Sequence, residues 1–280
     1  MSADGTVTFF QAIILAILQG ITELFPISSL GHAVVVPHLL GWNINADAPT
    51  YLPFLVMLHL GTAFALLAYF WEDWWALIYS LISRSPDQIS RENRYLVLLL
   101  VIGTVPAAIL GLLLEKRLAA LFGKFQLVAG FLILNGILLF LGEFLRRRQR
   151  FQSLSDLRPA QAFAIGISQA LALLPGFSRS GATMVGGLLV GLTHQAAARF
   201  GFLLATPIIL GAALVEVPKL LQPALRPQLG AALAGGVVAG IFAYISTAVL
   251  MRYFKQNEVN ALIPFGVYCC VLGVVSLVVG

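Results

Sequence analysis

Between the apolar runs LALL and MVGGLLVGL lies PGFSRSGAT, residues 175–183, a polar island of one arginine, two serines and a threonine. Arg179 stays charged at any accessible pH and offers a planar fork of donors that fits phosphate or carboxylate. Ser178, Ser180 and Thr183 add hydroxyls, and Gly176 and Gly181 let backbone approach a ligand closely. The island precedes an apolar helix, whose free N–H groups and positive dipole end attract an anion. Read structurally instead, Arg179 pairs with a buried acid such as Glu23. A second polar stretch, QGITELFPISSLGH at 19–32, supplies that acid. Gln19 and Glu23 are four apart and share a helix face. Ser28, Ser29 and His32 follow Pro26; alone, Ser28 reads as a helix cap and His32 as a packing residue. Together the two stretches hold a cation for developing charge, a hydroxyl nucleophile and a proton acceptor, which is what attack on phosphorus requires.

The elements that position these groups lie in a membrane. Of the 280 residues, 59% are hydrophobic and 10% charged, and mean hydropathy is +0.93. A soluble domain carries about 25% charged residues, so a soluble enzyme is excluded. Residues 52–71, 95–114, 125–145, 198–217, 229–251 and 259–279 approach or exceed the roughly 18–20 apolar residues that cross about 30 Å of hydrocarbon. These runs do not alternate polar with apolar, so they form helices and not barrel strands. The expected fold is an all-α polytopic membrane protein in a single integral domain, 1–280. Asp4 and the lack of a basic leader argue against a cleaved signal peptide. Trp71, Trp74 and Trp75 suit an interfacial belt, and adjacent Cys269 and Cys270 suit packing. No nucleic-acid partner is expected, and the sequence leaves room for a homodimer.

Shifting the chain by 150 positions lays QAIILAILQGITELFPISSLGHAVVVPHLLG, from Gln11, on QAFAIGISQALALLPGFSRSGATMVGGLLVG, from Gln161, without a gap. Gln19/Gln169, Ser28/Ser178 and Gly31/Gly181 are identical pairs, and the register continues to Leu60/Leu210 and Gly61/Gly211. Repeat one spans about 8–145 and repeat two about 158–280. Each contains a helix broken at Pro26 or at Pro175 and Gly176, a short second helix, and three full spans. The stretch 160–174 covers only about 22 Å as a helix, so a re-entrant helix-loop-helix is expected in each repeat. Three spans is an odd number, so repeat two must be inverted, giving about six full spans plus two re-entrant pairs. The basic residues supply a compass. Arg84, Arg91, Arg94, Arg146, Arg147, Arg148, Arg150, Arg158, Arg199, Arg252 and Lys255 fall on one side, against Lys116, Arg117, Lys124, Lys219 and Arg226. The first side is then cytoplasmic and both termini lie outside. Among lesser polar residues, His38, His59 and His194 are expected to pack or lie at the interface. Glu143 and Glu216 are expected near water, and Asn135 is a buried amide able to join helices.

QGITE at 19–23, PISSLGH at 26–32 and PGFSRSGAT at 175–183 resemble the signature pair of the undecaprenyl pyrophosphate phosphatase family, the bacitracin-resistance membrane phosphatases. The resemblance extends over the whole chain in length, repeat and span layout. It implies hydrolysis of undecaprenyl pyrophosphate to undecaprenyl phosphate and inorganic phosphate, renewing the lipid carrier for cell-wall synthesis, in the bacterial plasma (inner) membrane. It also implies that Glu23, Ser29, His32, Ser178 and Arg179 are catalytic and that Thr183 is functional; Gln19, Ser28, Gly176, Ser180, Gly181 and Thr183 are expected to bind substrate. The nucleophile is Ser29, Ser178 or water. Members of this family use a divalent cation, magnesium or calcium; Gln19 stands where a second carboxylate is common. A metal would then be held by Glu23 with substrate phosphates and water. The head group is expected in a cavity open to the periplasm, with the polyprenyl tail between helices in the lipid. A transporter or flippase for a phosphorylated polyprenyl lipid is the rival, since broken midplane helices in inverted repeats also serve transport. Hydrolysis outside with return of the monophosphate inside would combine the two.

Overall fold

The structure, a computed structural model, describes residues 7–45, 48–83, 86–122, 124–146, 154–223 and 225–280; the side chains of 115–120 and 122 are not described. Arg84, Arg147, Arg148, Arg150 and the side chains of Lys116 and Arg117 therefore lie outside the described residues. All regular elements among the described residues are helices. In chain order they are α1 (Phe9–Thr22), α2 (Ser29–Leu39), α3 (Tyr51–Tyr69), α4 (Trp71–Ser83), α5 (Gln88–Phe122), α6 (Phe125–Leu145), α7 (Pro159–Ala170), α8 (Arg179–Val190), α9 (His194–Glu216), α10 (Leu229–Gln256) and α11 (Ile263–Val279). Among the described residues five helical stretches are long and apolar enough to cross a membrane: Tyr51–Tyr69, Gln88–Leu114, Phe125–Leu145, His194–Leu221 and Arg226–Gln256. The sixth span expected from sequence is α11, which has 17 residues and reaches about 25 Å at 1.5 Å per residue. The chain is a multi-pass membrane protein.

Local chemistry sets the breaks. Thr8 and Gln11 form a capping box that starts α1. Pro26 lacks an N–H and disfavours helical conformation at Phe25, and α1 stops just before it, at Thr22. Ser28 then restarts the chain as α2, its Oγ accepting from Gly31 N at 3.1 Å. Its φ of 69° is unusual for a non-glycine residue and places strain at the hinge. In the second half α7 tightens into a 3-10 turn at Leu171–Leu173, Pro175 and Gly176 break it, and Ser178 caps α8 through Gly181 N at 3.1 Å. Gly176 has φ 112°, and a Cβ there would lie 2.6 Å from both Phe131 Cβ and Val128 O. Only glycine fits.

The helices cross where side chains are small, the usual way to bring helices together in lipid. Gly61 on α3 lies so close to α10 that a Cβ would sit 1.9 Å from Gly236 O. Short α1 packs on α10, α7 on α5, α6 on α11, and α3 on α9. Large apolar residues such as Phe144 and Leu113 remain on the outside, where lipid replaces water as solvent. Trp71 and Trp75 are exposed at the start of α4, while Trp74 packs on the core.

Candidate active site

The two breaks meet. Asn135, fully buried on α6, donates Nδ2 to Pro26 O (3.0 Å) and accepts Ser178 N on Oδ1 (2.9 Å). One amide thus ties both breaks, since an unpartnered backbone group in hydrocarbon costs several kcal/mol. Ser180 reinforces the tie, its Oγ lying 3.2 Å from Glu23 O, 3.1 Å from Phe25 O and 3.0 Å from Ser178 Oγ.

This clamp brings Glu23 and Arg179, 156 residues apart, into one ion pair. Arg179 Nη2 and Nε lie 3.0 and 3.2 Å from Glu23 Oε1, and Nη1 donates to Gly201 O at 3.1 Å. Both side chains are largely buried, 12% and 6% exposed; neither could be held so without the other. The second carboxylate oxygen, Oε2, gathers Ser29 Oγ at 2.5 Å, Gln19 Nε2 at 3.2 Å and His59 Nε2 at 3.2 Å. Ser29 opens α2, so its hydroxyl sits at a positive helix end with a carboxylate ready to take its proton.

Glu23, Ser28, Ser29, His59, Ser178 and Arg179 line one cavity of about 210 Å³. Leu30, Leu52, Leu55, Val56, Leu173 and Ile209 make its apolar walls. Gln169 also lines it: its Nε2 is 3.5 Å from Gly103 O, and its Oε1, though buried, has no hydrogen-bond partner among the described residues. A polar floor under apolar walls is the chemistry of a site for a charged head group on a hydrocarbon tail.

Other expected site residues stand behind this cavity. Gln19 reaches it through Glu23. Gly176 shapes the second break, Gly181 N is taken by the cap, and Ser180 joins the breaks. Thr183 is fully buried with Oγ1 bonded to Arg179 O (2.9 Å) and Ser180 O (3.0 Å). His32 does not line the cavity. Its Nδ1 lies 2.7 Å from Ser28 O, its Nε2 2.8 Å from Tyr268 Oη, and its ring stacks on Tyr268 at 5.7 Å. It braces the strained Ser28 from behind.

His59 corrects the expectation that it merely packs, since it touches Glu23. The available signal was position, because a histidine inside an apolar span is a functional candidate by default. His38, by contrast, stacks on Phe125 at 3.8 Å. His194 is fully buried between Glu143 (2.8 Å) and Glu258 (3.1 Å). Glu143, expected near water, is buried too and accepts Leu262 N at 2.7 Å. Among the described residues no three His, Cys, Asp or Glu side chains form a metal-ligand group.

Broken helices meeting around a buried arginine–carboxylate pair beside a cavity define a polytopic helical protein with a polar chamber among its helices. The family described as bacitracin resistance protein BacA matches residues 12–275, and the chain belongs to that family. It is 51% identical over 271 residues to the undecaprenyl-diphosphatase of Acidiphilium cryptum, covering 95% of this chain and 96% of the relative. To the undecaprenyl-diphosphatase of Granulibacter bethesdensis it is 52% identical over 281 residues, 95% of each chain. To undecaprenyl-diphosphatase 2 of Chromobacterium violaceum it is 52% identical over 268 residues, 95% and 97% of the two chains.

Proposed function

We infer that the chain is a membrane phosphatase that hydrolyses undecaprenyl diphosphate to undecaprenyl phosphate and inorganic phosphate, recycling the lipid carrier for cell-wall synthesis. The observation that carries this reading is the convergence of Arg179, Glu23 and Ser29 on one cavity under apolar walls. In the mechanism we favour, Arg179 leaves Glu23 for the incoming phosphates and neutralises charge as the terminal phosphorus is attacked. Glu23 Oε2 takes the proton of the nucleophile. Ser29 Oγ, 2.5 Å away, is the best placed hydroxyl. Ser178 Oγ already accepts Gly181 N, and a water held by the free Oε1 of Gln169 is the alternative to Ser29. If Ser29 attacks, its O–P bond forms as the bridging P–O bond breaks, and undecaprenyl phosphate leaves with the proton that Glu23 took from Ser29. Water then attacks the phosphoserine, Glu23 accepts the water's proton and returns it to Ser29 Oγ as the O–P bond breaks, and inorganic phosphate leaves.

The donor set does not fit a resident divalent ion: Glu23 is the one carboxylate, and both its oxygens are engaged by protein donors. We propose that magnesium or calcium arrives bound to the substrate's phosphates, and no step is assigned to it. Gln19 and Thr183 then act by holding Glu23 and the start of α8. His32 acts by bracing Ser28.

We further propose that the two halves are inverted repeats with the α1–α2 and α7–α8 pairs re-entrant. The reciprocal packing of α1 on α10 and α7 on α5 supports this. The excess of arginine on one side supports an inner-membrane orientation with the cavity open to the periplasm.

Purified protein given undecaprenyl diphosphate is expected to release inorganic phosphate, and Glu23→Gln to lower kcat by about 10²–10⁴, the range for loss of a proton-transfer group. Unchanged turnover in the Glu23→Gln protein would contradict the role given to Glu23, and a wild type that binds the lipid but releases no phosphate would leave the transporter reading standing in place of hydrolysis.

A further inference from the structure

His59 lies outside both polar motifs yet touches the same carboxylate. It sits on α3, its side chain 16% exposed, and lines the cavity. Its Nδ1 is 2.8 Å from Leu55 O, one turn back, and its Nε2 is 3.2 Å from Glu23 Oε2. A carbonyl oxygen and a carboxylate oxygen can only accept, so for both contacts to be hydrogen bonds each ring nitrogen must carry a proton. The ring is then an imidazolium. The single charge of Glu23 is thus shared between two cations, Arg179 on Oε1 and His59 on Oε2. The pocket keeps a surplus positive charge between walls such as Leu55, Val56 and Ile209, where low dielectric strengthens its pull on an anion. The repeat supplies no second copy of this cation, because the position matching 59 under the 150-residue shift is Ile209, on the same cavity.

We propose that His59 is a second cationic ligand for the substrate, so that the diphosphate enters beside Glu23 with one phosphate on the Arg179 guanidinium and the other on His59 Nε2–H. The proposal rests on the phosphatase reading for the identity of the ligand, but it concerns binding and not bond cleavage. The charged groups facing His59 are Glu23, in the turn after α1, and Arg179, at the start of α8. Only the protonated ring is a cation. Its contribution to affinity is therefore present at low pH and lost as pH rises through its titration.

The test is the affinity of the full-length purified protein for a non-hydrolysable polyprenyl methylenediphosphonate, measured by calorimetry between about pH 5.5 and 9, for wild type and His59→Gln. At the acid end wild type is expected to bind about tenfold more tightly, the size of one charge-assisted contact. The gap closes at the alkaline end, and changes in the ligand's own protonation cancel in the comparison. Inorganic pyrophosphate should show the same gap, because the contact is to phosphate and not to the tail. Turnover of the hydrolysable lipid by His59→Gln is expected to keep kcat within about threefold while KM rises, as for loss of a binding contact. Equal affinities at the acid end, a gap that ignores pH, or a kcat loss without a KM rise would each overturn the proposal in a protein that elutes and melts as wild type does. A wild type that binds the diphosphonate with the pH-dependent gap but releases no phosphate from the diphosphate contradicts the phosphatase reading alone.

Discussion

Two buried carboxylates in this protein have nearly the same partners and opposite surroundings. Glu23 holds Arg179 and His59 and faces a cavity of about 210 Å³. Glu143 holds His194 and lies 3.7 Å from Arg146, and the Leu262 N–H covers it. His194, fully enclosed, is also gripped by Glu258. The second cluster joins α6, the start of α9 and the α10–α11 turn, and its imidazole is fully buried between two carboxylates. The first is left open to a ligand. An acid, an imidazole and a guanidinium therefore do not make a site by themselves; a space beside them and a nucleophile within reach do.

The sharpest way to break the comparison is to remove the carboxylate's partner from each cluster. Arg179→Ala is expected to lower kcat/KM by at least about 10²–10³, the loss typical of one transition-state donor set in a dry site, measured as phosphate release from a polyprenyl diphosphate. His194→Leu is expected to act on stability instead. It leaves Glu143 buried without its main partner, a loss of roughly 3–5 kcal/mol, read as a lowered thermal midpoint, with kcat near wild type in the protein that remains folded. An activity loss in His194→Leu as deep as that of Arg179→Ala, at unchanged stability, would erase the distinction.

A smaller effect should come from the amide that joins the two breaks. Asn135→Leu strands Pro26 O and Ser178 N, which should destabilise by roughly 1–3 kcal/mol per unsatisfied group and lower kcat as well, because the breaks set the distance from Glu23 to Arg179. A variant that melts lower yet turns over normally would show that the breaks hold their geometry without it. The smallest effect is expected from Tyr268→Phe, which removes one hydrogen bond to His32, worth about 0.5–1.5 kcal/mol, and should change kcat by less than about tenfold. Inactivation of Tyr268→Phe would mean that His32 takes part in the chemistry directly and not as a brace.

Much of this arrangement was legible in the chain. Pro26, Pro175 and Gly176 announce where helices stop because the physics of proline and of positive φ is local. Arg179 and Glu23 announce themselves because a charge in hydrocarbon needs a partner, and the shift of 150 residues lays one break on the other in sequence. Asn135 was recognisable as a helix-joining amide, though not the groups it joins. His59 was legible as a candidate from its position inside an apolar span, but not as a partner of Glu23. Its polar neighbours in sequence are few, and its partner lies on another helix, so only tertiary packing reveals the contact. Glu143 misled for the complementary reason: a glutamate near a helix end looks solvated until the turn at 257–262 is seen to fold across it. His32 has the right chemistry in the right motif, but from the first turn of α2 its ring bonds Ser28 O and Tyr268 and does not line the cavity.

The central claim, that Glu23 and Arg179 act as one unit across the two broken helices, is tested most directly by a double-mutant cycle. Phosphate release from undecaprenyl diphosphate is measured for wild type, Glu23→Gln, Arg179→Gln and the double variant. For residues acting as a unit, the double variant should lose about as much kcat as the worse single variant. Losses that multiply, with each substitution lowering kcat by the same factor whether or not the other is present, would mean that the two residues work independently.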